Sequence, residues 1–180
     1  VMMTSMALTR ETERGTMENL LSMPVTPAEI MLGKVLPYFA IGIVQVAVVL
    51  LAARLVFDVP FVGSMPLLLS GIFIFVLALV ILGYLISTAA RTQMQAMQLT
   101  FFYFLPSLLL SGFMFPFRGM PQWAQALGEV LPLTHFLRMI RAVMLKGAEY
   151  PAVAQPMAAM AAFAIVFTVL ALLRFRRTLD

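Results

Sequence analysis

The 180-residue sequence has no cysteine and a single histidine, His135. Disulfide scaffolds, thiol nucleophiles and Cys/His zinc sites are excluded by that count. Charge is also scarce: Asp, Glu, Lys and Arg make up 11% of the chain, against roughly a quarter in soluble domains. With 62% hydrophobic residues and a mean hydropathy of +1.00, the composition is that of a membrane-embedded chain. No G-x-x-x-x-G-K-[ST] loop occurs, so ATP is not bound through that phosphate cradle. Acids within apolar spans, the usual ion-coupling groups of carriers, are missing as well. Asp58 lies just past Arg54, where a turn or salt-bridge role accounts for it. His135 has basic and apolar neighbours and reads as an interfacial structural residue rather than a catalytic one. No catalytic, cofactor-binding or metal-ligating set is expected, and the chain is not read as an enzyme.

What is present is a series of long uncharged runs. Val35–Ala53, Val59–Ala90, Thr92–Phe117 and Tyr150–Leu173 lack Asp, Glu, Lys and Arg, and each is long enough for the ~20 helical residues that cross an apolar core of about 30 Å. Helical punctuation places the spans at 27–57, 67–90, 96–115 and 156–173. Pro60, Gly63, Ser64 and Pro66 delay the second, and Pro106 is expected to kink the third. Four crossings put both ends on one side. Seven bases would share the face of the termini (Arg10, Arg14, Lys34, Arg91, Arg174, Arg176, Arg177) and five the opposite face (Arg54, Arg118, Arg138, Arg141, Lys146). The bias favours cytoplasmic termini, including the tail 174–180. The bases flank spans and read as topology signals, so no nucleic-acid partner is expected and lipid is.

Residues 116–147 form neither a plain loop nor a fifth span. Pro121 opens a short helix through Val130, Pro132 interrupts, and a second helix from about Leu133 to Lys146 has Gly147 just past its end. Arg138 and Arg141 share its polar side while Phe136, Ile140, Val143 and Met144 repeat at helical spacing. This is an outer re-entrant or interfacial hairpin.

Ahead of the first span, residues 10–23 read RETERGTMENLLSM. Arg14 and Glu18 stand four apart and Met17, Leu20 and Leu21 form one apolar stripe, as in a short amphipathic helix. A solvated charged loop is the alternative reading of the same composition. Pro24 ends the segment, and Thr26-Pro27-Ala28-Glu29 restarts a helix with a capping box.

Inside the spans, Gly83 with Ser87, Ser107 with Ser111, and Ala154 with Ala158 and Ala162 place small residues at spacing four, which permits close helix approach. Gln45, Thr100, Ser107 and Ser111 are the candidate polar contacts of the first and third spans. Phe104, in the run Phe101-Phe102-Tyr103-Phe104, joins them as a candidate for a greasy substrate route. Helix-to-helix hydrogen bonding and lipid contact are the competing explanations.

The stretch Glu13-Arg14-Gly15-Thr16-Met17-Glu18-Asn19-Leu20-Leu21, with Met23-Pro24-Val25 and Gly33-Lys34, resembles the cytoplasmic loop between the second and third spans of ABC type-2 transporter permeases. Leu85–Gln93, Leu110–Pro116 with Met120-Pro121, Leu131–Phe136 and Arg141–Gly147 extend the resemblance along nearly the whole chain. It is closest to the drug-export type of the bacterial inner membrane. The resemblance implies an all-helical membrane bundle, with residues 1–8 as the tail of a preceding span and a first span, and an extracytoplasmic domain in some members, lying outside this sequence. It also implies that Glu13, Arg14, Gly15, Thr16, Met17, Glu18, Leu20 and Leu21 form a coupling helix that docks on a cytoplasmic ATPase subunit. A second permease subunit, identical or related, would complete the route. The rival expectation is a non-transporting membrane scaffold that recruits a cytoplasmic protein through the same segment. An ion-coupled carrier is a third, weakened by the missing membrane acids.

Overall fold

The computed structural model describes residues 1–6, 9–15 and 26–176, and these are all-helical. In chain order the helices are α1 (Met2–Ser5), α2 (Thr9–Glu13), α3 (Pro27–Leu55), α4 (Met65–Ala89), α5 (Gln93–Leu110), a 3-10 turn at Phe117–Gly119, α6 (Gln122–Glu129), α7 (Pro132–Lys146) and α8 (Tyr150–Arg176).

Local chemistry fixes most of the boundaries. At the start of α3 the Thr26 hydroxyl accepts from the Glu29 backbone N–H at 3.4 Å, and the Glu29 carboxylate accepts from the Thr26 backbone N–H at 2.6 Å. This reciprocal pair is the expected capping box. Beyond the far end of α3, Asp58 takes a left-handed conformation, φ +50°, which a short acidic side chain tolerates better than a branched one. At α5, Thr92 accepts from the Gln95 N–H at 3.1 Å and the Gln95 side chain accepts from the Arg91 N–H at 2.7 Å. Gly147 ends α7 in the left-handed region, φ +63°, and the following Ala148 N–H closes on the Ala142 carbonyl at 3.0 Å.

Among the described residues three helices are long and apolar enough to cross a membrane: α3 over Ala28–Leu55, α4 over Met65–Ala89 and α8 over Tyr150–Arg174. The span expected at 96–115 corresponds to α5. It begins at Gln93, passes through Pro106, stops at Leu110 and is not among the three. Three glutamines in its first two turns dilute its apolar content, and the left-handed Gly112, φ +84°, turns the chain away just after it.

Helix α4 is the centre of the bundle, packed on α8, α3, α7 and α1. Its Leu68, Ile72, Phe75, Val76, Val80, Ile81 and Tyr84 join Met139 and Val143 of α7, Val153, Met157 and Met160 of α8, and Met31 and Val35 of α3 in one core. The Phe75 and Phe136 rings stack at 4.0 Å between centroids. Glycines on α4 allow close approaches. A Cβ at Gly83 would lie 2.7 Å from the Val1 carbonyl oxygen of α1's leading residue, and one at Gly71 2.1 Å from the Met139 methyl. The bundle thus has two ends. The near end carries α1, α2, the start of α3 and the α4–α5 turn. The far end carries the α3–α4 loop and the end of α7, where the Val62 N–H donates to the Met144 carbonyl at 3.1 Å.

Candidate functional site

At the near end, five residues of α2 tie two long helices together. The Glu11 carboxylate receives the Lys34 ammonium at 2.8 Å, which bonds α2 to α3. The Glu13 carboxylate accepts the Gln93 backbone N–H at 2.8 Å and a second hydrogen bond from the Gln93 side-chain amide. Gln93 is the first residue of α5, so its N–H is one of the donors that a helix start leaves without an intrahelical partner. A carboxylate is also the favourable charge at that end of a helix dipole. The Gln93 side-chain bond and then its backbone bond hold the Glu13 carboxyl below the usual carboxylate value of 4.5. A lowered acid contributes fully above that usual value and loses its contribution as pH falls through the lowered one, so the contact is intact at neutral pH.

Glu13, expected to face a partner, is exposed and bonded within the chain to Gln93, 80 positions away. Arg14 and Gly15 are exposed in the turn after α2, with Gly15 left-handed at φ +68°. Within the segment 10–23 expected to be helical, α2 ends at Glu13. Thr16, Met17, Glu18, Leu20 and Leu21 lie outside the described residues.

At the far end, the α6–α7 hairpin is clamped to the end of α5. The Arg138 guanidinium makes a two-pronged ion pair with Glu129, one arm at 2.9 Å, and lies 4.6 Å from the centre of the Phe117 ring. The hydrogen bonds from Arg138 hold the Glu129 carboxyl below its usual range. Arg141 donates to the Gly112 carbonyl at 3.1 Å. Thr134 donates to the Gly128 carbonyl at 2.6 Å, and Gly128 itself fits against the Leu110 carbonyl, where a Cβ would sit 2.5 Å from the oxygen. His135 is buried, with Nε2 2.9 Å from the Glu129 carbonyl. Because a carbonyl only accepts, that nitrogen carries the proton, and the role is structural.

The candidate route residues divide. Thr100 and Ser107 on α5 and Ser111 just past its end are buried. The first two return their hydroxyls to the carbonyls of Ala96 at 2.8 Å and Tyr103 at 2.7 Å, four residues back. Ser111 Oγ is buried with no hydrogen-bond partner among the described residues. Phe104 and Gln45 are exposed, on α5 and α3, and α3 packs chiefly on α4. Among the described residues no group of three or more His, Asp or Glu is placed to hold a metal ion.

The sequence profile of ABC-2 family transporter proteins matches residues 1–173. The chain belongs to that family. It is 36% identical over 183 residues to the inner membrane transport permease YhhJ of Escherichia coli (strain K12), an alignment covering 99% of this chain and 48% of the relative. It is 36% identical over 149 residues to the probable multidrug ABC transporter permease YbhR of the same strain, covering 83% and 40%. A more distant relative is the linearmycin resistance permease protein LnrN of Bacillus subtilis (strain 168), 26% identical over 137 residues and covering 76% and 35%. The chain thus spans about half the length, or less, of these relatives. No solved structure matches it.

In this ABC-2 chain the polar contacts that join elements were the part hidden from the sequence. Nothing in the spacing of Glu13 and Gln93 marks them as partners. The one local signal was Thr92-x-x-Gln95, which announces a helix start and hence a set of backbone donors seeking acceptors.

Proposed function

We propose that this chain is the C-terminal part of the membrane-spanning permease subunit of an ATP-binding cassette exporter in a bacterial inner membrane. In this reading α3, α4, α5 and α8 are four crossings, the near end is cytoplasmic, and the α6–α7 hairpin sits at the outer mouth. A separate ATPase subunit docks on the segment that begins with α2 and supplies all the chemistry. A second permease subunit, identical or related, faces the exposed side of α5. The substrate route runs along that side past the exposed Phe104. Hydrophobic drug-like molecules are the substrate class, in keeping with the chain's similarity to YbhR, a probable multidrug ABC transporter permease.

The observation that carries this reading is the seating of α2 on two long helices at once, through Glu11–Lys34 and Glu13–Gln93, in a chain of a transporter family. A short surface element bonded to the ends of helices can convert movement of a docked subunit into tilting of those helices.

The test uses the full-length permease with its ATPase subunit in inverted membrane vesicles and a lipophilic cationic dye. ATP-dependent dye uptake is expected. It should disappear when the phosphate-binding lysine of the ATPase is replaced by alanine, and should persist after a protonophore collapses the proton gradient. Arg14→Glu, in the exposed turn, should weaken co-purification of the ATPase at least about 5-fold, the loss of one well-placed charge contact. Dye movement that needs a gradient and no ATPase would instead identify an ion-coupled carrier. A bound cytoplasmic protein without any ATP-driven movement would identify the scaffold.

A further inference from the structure

Helix α5 is held at both ends by groups from other parts of the chain. At the near end the Glu13 carboxylate takes the N–H of its first residue and that residue's side chain. At the far end the chain that follows it is fixed by Arg141 on the Gly112 carbonyl, and Gly128 of α6 lies against the Leu110 carbonyl. Between these joints lie 18 helical residues, a rod of about 27 Å. Thr100 and Ser107 bond to carbonyls within the rod itself.

We propose that α5 is the transmission rod of the permease, with Glu13 as the positioning residue that joins it to the cytoplasmic element and Arg141 as the joint that passes its movement to the α6–α7 hairpin. This rests on the reading above, that an ATPase subunit works on the segment containing α2. Glu13 does not contact the ATPase. Its carboxylate couples displacement of α2 to the start of α5, because two hydrogen bonds from one residue resist both sliding and rotation. Lys34 and Glu11 perform the corresponding link to α3, so α2 drives the ends of both helices together. At the other end the hairpin follows α5 through the Arg141 side chain on the Gly112 carbonyl and through Gly128 seated against the Leu110 carbonyl and the Phe117 ring.

The experiment uses the full-length permease–ATPase complex in lipid nanodiscs, with one cysteine introduced at Trp123, an exposed position on α6, and any others replaced. Its rate of labelling by a membrane-impermeant maleimide is compared with and without ATP plus vanadate, alongside ATP hydrolysis and ATPase co-purification. The parent complex should show a nucleotide-dependent change in labelling rate. Glu13→Ala should lose at least about four-fifths of that change while keeping ATPase binding and at least half of the hydrolysis. Glu13→Gln should recover half or more of it, because the amide oxygen still accepts the Gln93 N–H. Arg141→Ala should abolish the change at Trp123→Cys with hydrolysis unaltered.

A full labelling change in Glu13→Ala, or in Arg141→Ala, overturns the rod. So does loss of ATPase binding in Glu13→Ala, which would make Glu13 a docking residue. If the parent complex neither binds the ATPase nor responds to nucleotide, the exporter reading itself fails and takes the rod with it.

Discussion

Gly128 and Gly71 mark two kinds of close approach, and the difference decides what a methyl group costs at each. At Gly128 an added Cβ would meet the Leu110 carbonyl oxygen at 2.5 Å and the edge of the Phe117 ring at 2.7 Å. Backbone cannot step aside, so Gly128→Ala must push α6 off the end of α5. At Gly71 the obstacle is the tip of Met139, with its methyl at 2.1 Å and its sulfur at 2.8 Å. An unbranched thioether can adopt another rotamer, although Met139 is fully buried. Gly128→Ala is therefore expected to cost about 1–3 kcal/mol, the range for overpacking, and Gly71→Ala less than about half of that. Denaturation midpoints of the two variants of the full-length protein in detergent measure the difference. Equal losses would mean that Met139 is pinned. His135 teaches a related lesson at this scale. Its sequence neighbours are basic and apolar, and the Glu129 carbonyl that fixes its tautomer lies six residues back across the α6–α7 turn.

The elements divide by how their ends and faces are specified. Helix ends were legible wherever a cap had a chemical signature. Thr26 with Glu29, Pro132 and Gly147 each mark a boundary that the structure keeps. At the cap of α3 the Thr26 hydroxyl accepts the Glu29 N–H, a donor that the helix start leaves without an intrahelical partner. Thr26→Ala is expected to destabilise the first turn by about 1 kcal/mol. Hydrogen exchange should then speed up about 5-fold at Glu29–Met31 and stay unchanged beyond Val35; acceleration reaching the middle of α3 would mean that the cap governs more than its own turn. The amphipathic α7 was equally readable. Its apolar residues Phe136, Ile140, Val143 and Met144 face the core, and its arginines hold Glu129 and Gly112. The packing faces of α3, α4 and α8 were not readable from hydropathy, because lipid and protein interior are both apolar and leave no polar stripe. Small residues carried the remaining information, and only in part. Gly83 and Ser87 are buried, whereas Ala158 and Ala162 are exposed. The joints at Glu13 and Arg141 were illegible because each pairs groups far apart in sequence.

At the scale of the whole molecule, connectivity constrains how many times the chain crosses. The α4–α5 turn lies at the near end, where Glu13 meets Gln93. The end of α7 lies at the far end, where Met144 bonds to Val62 just ahead of α4, and α8 then packs along α4 from there. Between Thr92 and Lys146 the chain must therefore travel from one end of α4 to the other. Helix α7 makes part of that distance, since Phe136 stacks on Phe75 and Val143 lies by Gly63. The remainder falls to α5. Its glutamines are concentrated in the first two turns, where Gln93 is bonded to Glu13 at the surface, and its later residues are apolar. A helix of 18 residues is near the short limit for a crossing, about 17–25 residues, and the turn at Gly112 and the hairpin extend its reach. We expect single cysteines at Met94 and Phe113, both exposed, to label from opposite sides of the membrane. An impermeant maleimide added to intact cells should modify Phe113→Cys in the full-length protein, and Met94→Cys only after permeabilisation. If both are modified from the same side, α5 does not cross, α8 must begin where α4 ends, and the proposed parity, with both ends of this chain in the cytoplasm, is lost.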